Sequence, residues 1–305
     1  MQAPAEGERR QPLAPNAFTV DVEEYFQVSA FEEQFPREVW DSVPSRLERS
    51  VDAVLEIAAS AGVRGTFFIL GWIARRHPHL VRRIVDAGHE AGCHGLEHRL
   101  AYRMDPWSFR ADLREALRLV EDATGAPCHL YRAPSFSITR ASLWALPILA
   151  EEGIRIDSSV FPIRHDRYGI PGAPAAPFRP LREHPDFVEF PPSTITVGRW
   201  RIPCAGGGYL RLFPLRWTRA AIRRIQEREG HPALLFVHPW EFDPEQPLVG
   251  AGRLATFRHR VGLKRSAIRL ADLLGRFEFA PLTQVVASRG GPSSLPILGL
   301  GPARS

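Results

Sequence analysis

Apolar positions along the chain predict strands and helices in alternation. A first strand over residues 17–20 leads directly into the acidic cluster Asp21-Val22-Glu23-Glu24. Apolar residues at helical spacing then predict a helix over 45–61, with Ser45 as its N-cap and Gly62 as its stop. Further helices are predicted over residues 80–85, 105–120, 142–150, 217–229 and 255–277, and further strands over 63–70, 128–131, 154–157, 188–190 and 234–238. This alternation is typical of an α/β fold with a mainly parallel sheet, and the length favours a closed or nearly closed barrel.

Three segments lack this alternation. Residues 1–16 are polar and proline-rich, so we expect a flexible tail. The proline- and glycine-rich stretch 168–192 predicts a long surface loop, and residues 288–305 predict a frayed end. The short run Gly206-Gly207-Gly208-Tyr209 predicts a hairpin or a rim loop.

Composition narrows the class of protein. The three cysteines are odd in number and lack CxxC spacing, which argues against a disulfide framework or a thiolate zinc site and favours a cytoplasmic location. No run of about 18 apolar residues predicts a membrane span. The net charge of +5 comes almost wholly from arginine, with Lys264 the only lysine. No basic and aromatic motif supports nucleic-acid binding.

A pair of histidines suggests metal chemistry. His94 and His98 are four residues apart, so one helical turn would bring both imidazoles to the same face, where they could share a divalent metal. An anionic third ligand is needed, and the acids after the first strand can supply it. Because a histidine pair at this spacing is weak evidence alone, the interpretation depends on its context along the chain.

That context is the order of six motifs, which resembles the polysaccharide deacetylase family (NodB-homology, carbohydrate esterase family 4). The resemblance covers about residues 17–240. The motifs are Asp21-Val22-Glu23, Gly65-Thr66-Phe67-Phe68-Ile69-Leu70-Gly71, Gly88-His89-Glu90-Ala91-Gly92-Cys93-His94 through His98, Arg132-Ala133-Pro134, Asp157-Ser158-Ser159 and Phe236-Val237-His238-Pro239.

The resemblance implies a fold and a domain plan. The fold is a distorted (β/α) barrel with mainly parallel strands, formed by residues 17–240 between the tail 1–16 and a C-terminal extension, 241–287, that packs on the barrel. Residues 288–305 then form a second flexible tail. Stretches around residues 21–26, 161–168 and 257–259 resemble a subfamily found with exopolysaccharide synthesis loci, which also has such an extension.

The resemblance also implies catalytic roles. Asp21 matches the general base, and Arg132 matches the arginine that pairs with it. His238 matches the general acid, and Asp157 matches the acid that orients and charges that histidine. Backbone amides of Ser135 or Phe136 would join the metal in stabilising the oxyanion.

The metal ligands implied are His94, His98 and a carboxylate. The family commonly has two adjacent aspartates, but Val22 occupies the position of the second acid. Alternation along an extended chain puts Glu23 on the same side as Asp21, so Glu23 is preferred over Glu24 as the ligand. One divalent metal is expected, zinc first, with cobalt, nickel or manganese as alternatives.

The function implied is a hydrolase of carbon–nitrogen bonds other than peptide bonds. It would remove N-acetyl groups from N-acetylhexosamine residues of a polysaccharide or glycan intermediate, in exopolysaccharide biosynthesis and with peripheral association with a synthesis complex. Two alternatives remain open: an amidohydrolase of the same fold acting on a small cyclic amide, and a catalytically silent sugar-binding subunit. The sugar, the linkage and the oligomeric state are not predicted.

Overall fold

A computed structural model describes residues 14–250 and 252–300. Its strands are β1 Asn16–Val22, β2 Thr66–Ile69, β3 Glu90–Cys93, β4 Leu130–Tyr131, β5 Ile156–Asp157, β6 Val188–Glu189, β7 Thr194–Val197, β8 Trp200–Pro203, β9 Leu234–Val237 and β10 Phe279–Ala280. Its helices are α1 Leu47–Ser60, α2 Gly71–Arg76, α3 Pro78–Asp86, α4 Pro106–Thr124, α5 Ala145–Glu151, α6 Gly207–Leu212, α7 Leu215–Arg224, α8 Arg253–Arg260, α9 Ser266–Arg276 and α10 Leu282–Ser288.

Eight of the strands form one parallel sheet in the order β10-β1-β2-β3-β4-β5-β6, with β9 also paired to β1. Strands β7 and β8 form a separate antiparallel hairpin. The large sheet curls into a distorted (β/α) barrel, which confirms the predicted fold class. Every residue of β1 is buried, because this strand has neighbours on both sides and helices outside the sheet.

Local sequence signals set several helix ends. The Asp105 side chain accepts a hydrogen bond from the Ser108 amide at 2.9 Å, and Pro106 occupies the first position of α4. Gly125 ends that helix in the left-handed region at φ 72°. The predicted start of this helix is therefore confirmed.

The C-terminal part differs from the prediction. The single helix expected over 255–277 is wrong, because Gly262, at φ 73°, separates α8 from α9. Strand β10 and helix α10 follow, and neither was predicted. The segment expected to fray is ordered in part, since the Leu298 amide donates to the Arg179 carbonyl at 3.0 Å. Residues 1–13 and 301–305 of the two predicted tails lie outside the described residues.

Residues 206–209 also differ from the predicted hairpin or rim loop. Residues 207–209 form the first turn of α6. A Cβ atom placed on Gly206 would lie 2.2 Å from the Phe236 ring, so only glycine lets this backbone pass so close to β9.

No helix among residues 14–250 and 252–300 is long and apolar enough to cross a membrane.

Candidate functional site

The carboxyl ends of four parallel strands place polar side chains at one edge of the sheet. Asp21 lies near the end of β1, and His94, Arg132 and His238 directly follow β3, β4 and β9. Their neighbours in the sheet are in register, so residues far apart in sequence meet at this edge. This edge is where active sites of β/α barrels lie.

Three of the residues predicted to bind metal converge. One donor atom each from Glu23, His94 and His98 lies within 4.8 Å of the others, and all three residues are buried. The Glu23 Oε2 atom is 2.8 Å from His98 Nε2. The prediction that the histidines share a helical turn is wrong, because Gly95 (φ 77°) and His98 (φ 54°) take left-handed conformations in a loop after β3.

The orientation of His94 suits a metal ligand. Its Nδ1 atom lies 2.8 Å from the Arg132 carbonyl oxygen, which can only accept, so Nδ1 carries the proton. The other ring nitrogen, Nε2, is then unprotonated in the neutral ring. Burial lowers the pKa of His94 to about 4, so the neutral imidazole is favoured at pH 7.

Glu23 is held as an anion. Burial alone would raise its pKa, but the hydrogen-bonded His98 and the nearby His238 hold the pKa of this carboxyl well below its usual range. The Trp240 indole N–H donates to Glu23 Oε1 at 3.0 Å and so fixes the side chain. An anionic, oriented carboxylate is what a third ligand requires.

Glu24 has a different position. Its carboxylate accepts hydrogen bonds from the Ser45 hydroxyl and from the amides of Arg46 and Leu47, at 3.0 and 3.2 Å for the two amides. It therefore satisfies the free N–H groups where α1 begins. The prediction of Ser45 as the N-cap is wrong, because Arg46 occupies that position and the Glu24 carboxylate accepts from the free amides. The geometry favours Glu23 over Glu24 as the metal ligand.

Asp21 is fixed by a buried arginine. Arg132 Nη1 donates to Asp21 Oδ1 at 2.6 Å and to the Thr19 hydroxyl at 2.9 Å, and the Arg132 side chain is fully buried. Arg132 Nη2 donates to the Ser158 hydroxyl at 2.9 Å. This charge-assisted bond orients the Asp21 side chain and leaves Oδ2 for other contacts.

His238 faces both site carboxylates. Its Nε2 atom is 3.8 Å from Asp21 Oδ2 and 3.8 Å from Glu23 Oε1. On its other side, Nδ1 is 3.5 Å from Glu241 Oε2. Burial lowers the pKa of His238, but the neighbouring carboxylates of Glu241 and Glu23 outweigh it and raise the pKa to about 9.

The expected pairing of His238 with Asp157 is not what the structure shows. Among the described residues, no ion pair within 4 Å joins these two side chains. The Asp157 carboxyl accepts from the Ser159 hydroxyl and lies against Glu189 on the neighbouring strand. Burial raises the pKa of Asp157 to about 6 and outweighs the hydrogen bonds with Glu189 and Ser159, which lower it. Burial and the neighbouring Asp157 raise the pKa of Glu189, so the two acids form a separate buried pair.

Glu241 is the residue that sequence reasoning missed. It follows His238 by three residues and accepts a hydrogen bond from the His238 amide at 3.0 Å. The buried Arg211 donates to its other oxygen at 2.7 Å. The available signal was an acid three residues after His238, with a proline directly after the histidine. That spacing is typical of a capping interaction.

The two amides proposed for the oxyanion differ in availability. The Phe136 N–H donates to the Ala133 carbonyl at 3.0 Å, so this amide is already used within a turn. Ser135 has φ 52° and lines the cavity, which leaves it as the candidate of the two. Its hydroxyl lies 2.6 Å from the Ser29 hydroxyl.

One cavity of about 640 Å³ is lined by Asp21, Glu23, His94, His98, Ser135 and His238. Cavities of roughly 300–1,000 Å³ hold ligands the size of small organic molecules. Aromatic side chains line it beside the charged groups: Phe136, Phe161, Tyr168, Tyr209, Phe236 and Trp240. The cavity therefore offers apolar walls and a charged floor.

The residues fit a divalent metal. Two imidazoles and one carboxylate are a ligand set found in catalytic zinc sites, and hydrogen bonds with neighbouring groups orient His94 and Glu23 here. A second group of possible ligands, Glu48, His77 and His79, lies nearer the surface, and Arg83 contacts the same carboxylate at 3.6 Å. That cation makes the second group a less suitable metal site.

Comparison with known proteins supports the family. Residues 39–152 match the polysaccharide deacetylase family, and residues 158–287 match a domain of unknown function, DUF3473. His94, His98 and Arg132 lie in the first matched region, and His238 and Glu241 lie in the second. The site thus draws on both regions.

Two curated proteins are similar to part of the chain. The chitooligosaccharide deacetylase of Bradyrhizobium sp. (strain ANU 289) is 30% identical over 99 residues, 32% of this chain and 42% of that protein. The peptidoglycan-N-acetylglucosamine deacetylase of Bacillus cereus is 28% identical over 88 residues, 29% of this chain and 41% of that protein. The chain therefore spans about two fifths of the length of these relatives.

One solved structure resembles nearly the whole chain. The crystal structure of a "putative polysaccharide deacetylase" from Mycobacterium smegmatis is 21% identical, covers 99% of both chains and has a TM-score of 0.62. This likeness supports the fold. The match of residues 39–152 supports a relationship to polysaccharide deacetylases. Residues 39–152 of the chain are thus similar to the polysaccharide deacetylase family.

Proposed function

We propose that this chain is a metal-dependent N-deacetylase that hydrolyses acetamide groups of N-acetylhexosamine residues in a polysaccharide or glycan intermediate. One observation carries the proposal: Asp21 and His238, 3.8 Å apart, line the same cavity as the buried Glu23–His94–His98 group. A base and an acid beside a metal group are what hydrolysis of an unactivated amide requires.

The reaction forms one bond and breaks another. A water oxygen adds to the acetamide carbonyl carbon, and the carbon–nitrogen bond then breaks to give acetate and the free amine. A divalent ion held by Glu23, His94 and His98 would supply Lewis acidity that polarises the carbonyl and favours deprotonation of water. The two proton transfers are left to side chains of the chain itself.

Asp21 accepts the proton from the attacking water. Arg132 occupies Asp21 Oδ1, so Oδ2 is the oxygen available as the base. Because Arg132 is buried and also bonded to Thr19 and Ser158, the carboxylate keeps one orientation during the reaction.

His238 donates a proton to the departing nitrogen. Its Nε2 atom faces the carboxylates of Asp21 and Glu23. Its pKa of about 9 keeps the ring protonated at neutral pH. The Glu241 carboxylate lies 3.5 Å from Nδ1 on the other side of the ring, and Arg211 in turn holds Glu241. Glu241 is thus a positioning residue that takes the place expected for Asp157.

We predict that Glu241→Gln lowers turnover and moves the alkaline limit of kcat/KM to lower pH. The wild-type carboxylate favours the imidazolium, so its loss lowers the pKa of His238 and the acid is lost earlier as pH rises. The measurement is kcat/KM from pH 5 to 10. Asp157→Asn is the matched control and should leave the alkaline limit in place; the reverse pattern would restore Asp157 as the partner.

The substrate class comes from the relatives. One relative is named for chitooligosaccharides and another for the N-acetylglucosamine of peptidoglycan, and both substrates present an N-acetylhexosamine. The aromatic walls of the cavity are suited to the apolar faces of sugar rings. We further propose a place in exopolysaccharide biosynthesis, on the motif resemblance around residues 21–26, 161–168 and 257–259.

Acetate release tests the proposed function. N-acetylglucosamine oligomers of two to six units are incubated with the purified chain, with and without chelator, and acetate is measured enzymatically. We expect release that the chelator abolishes and added zinc restores. Hydrolysis of a small cyclic amide with no action on the oligomers would contradict the proposal in favour of an amidohydrolase, and metal-free protein without activity would favour a silent subunit.

A further inference from the structure

A second cleft, of about 520 Å³, adjoins the catalytic cavity. Arg211 lines both. The other lining residues of the second cleft are apolar, glycine or basic, and none is acidic. Its basic residues are Arg211, Arg260, Lys264, Arg265 and Arg269. Five cations around one opening repel each other, so this arrangement calls for a compensating anion.

Two of these cations are held by backbone carbonyls and keep their charge. Arg269 Nη1 donates to three backbone carbonyls, including that of Arg211 at 2.8 Å. Arg260 donates to the carbonyls of Gln246 at 3.0 Å and Pro244 at 3.3 Å. Carbonyl oxygens are neutral, so these bonds orient the guanidinium groups but do not cancel their charge.

Carboxylates compensate only part of the cluster. Arg211 is paired with Glu241, whereas Lys264 and Arg265 are exposed and form no side-chain hydrogen bond or ion pair within the described part of the chain. Burial lowers the pKa of Arg269, and Arg265 adds to this effect, as expected among like charges. Five basic residues against one carboxylate leave an excess of four positive charges.

Acidic residues on nearby segments are already paired elsewhere. Asp272 on α9 binds Arg219 and Arg276. Asp243 and Glu245, on the segment that includes Pro244, bind Arg46 and Arg49 respectively, and those two arginines lie on the α1 side. These three acids are therefore paired with arginines outside the cleft and do not compensate its charge.

The turn that carries Lys264 and Arg265 is built against Arg211. Gly262 has φ 73°, and a Cβ atom on it would lie 2.6 Å from the Arg211 carbonyl oxygen. Only glycine allows this turn to pack so closely on α6. The fold therefore fixes the backbone of Lys264 and Arg265 next to Arg211.

We propose that this cleft is a binding site for a phosphate-class anion, with diphosphate as the best match to its charge. Arginine forks and a lysine are the groups that proteins use for phosphate. Because Arg211 lines both cavities, a glycan with a phosphate substituent could place its sugar in one and its phosphate in the other. The site itself is independent of the proposed deacetylation, and its test does not require activity.

Titration calorimetry with sodium diphosphate at physiological salt tests the site. We expect one diphosphate per wild-type chain and at least tenfold weaker binding by the Lys264→Gln/Arg265→Gln double variant. The control is Arg182→Gln/Arg223→Gln, which removes two charges from exposed arginines that line neither cavity, and it should bind within twofold of wild type. Diphosphate held at the catalytic metal would bind all three proteins equally, and that result would overturn the proposal.

A site-specific readout is available because Lys264 is the only lysine of the chain. Diphosphate should slow acylation of Lys264 by an amine-reactive ester, as read by peptide mass; unchanged acylation would also overturn the proposal. Sedimentation with phosphatidylglycerol vesicles separates the sources of phosphate. Vesicle binding that diphosphate displaces and the double variant lacks assigns a lipid headgroup, whereas diphosphate binding without vesicle binding assigns a soluble phosphate ester.

Discussion

Asp21→Asn is expected to lower acetate release by about 10³-fold, within the range that loss of a general base produces, while the chain keeps one metal ion. The amide cannot accept the water proton, but it lies outside the Glu23–His94–His98 group and leaves those ligands in place. The measurements are kcat on an N-acetylglucosamine oligomer and metal content by mass spectrometry.

Asp21→Asn also leaves Arg132 without its anionic partner. Because Arg132 is fully buried, the free energy of unfolding should fall, by roughly 3–5 kcal/mol if no water or anion compensates. Retained metal shows that the variant is folded at the assay temperature. Turnover close to the wild-type rate in folded Asp21→Asn would remove Asp21 as the base.

His94→Ala and His98→Ala are expected to abolish metal retention and activity together. Each substitution leaves two of the three ligands, and the metal content after dialysis should fall to roughly a tenth or less, since even outer partners of metal ligands contribute 10–100-fold to affinity. His238→Ala should impair turnover and keep the metal, because this ring is not part of the ligand group.

The matched control for the histidine variants is His79→Ala. It removes an exposed imidazole that contacts Glu48 at 2.8 Å in the other group of possible ligands. We expect wild-type metal content and activity in this variant. Metal loss in His79→Ala and retention in His94→Ala would transfer the metal site to the surface.

Much of the fold was predictable because strand ends are marked by composition. The apolar run before Asp21 and the run before His238 each end in a polar residue, and parallel strands bring such ends to one edge. The meeting of residues more than 200 positions apart followed from that rule together with the order of motifs. The apolar pattern did not predict the break at Gly262. This glycine is required by a tertiary contact, its close packing on Arg211, which a local pattern does not contain.

The sequence predicted which residues form the site better than it predicted their local conformation and hydrogen-bond partners. The spacing of His94 and His98 indicated proximity for the wrong reason, since two left-handed residues in a loop, not a helical turn, bring the rings within 5.6 Å. The charge partner of His238 could not be read from the family motif. Glu241 becomes the partner because Arg211, from a separate helix, pairs with it in the buried interior.

Metal content in a matched pair of carboxylate variants tests the central claim most directly. Glu23→Gln removes the charge of the proposed ligand, and Glu24→Gln keeps an acceptor for the amides at the start of α1. We expect one divalent ion per chain in wild type and in Glu24→Gln, and almost none in Glu23→Gln after dialysis. A metal-free wild-type chain, or full metal content in Glu23→Gln, would contradict a site formed by this carboxylate and the two imidazoles.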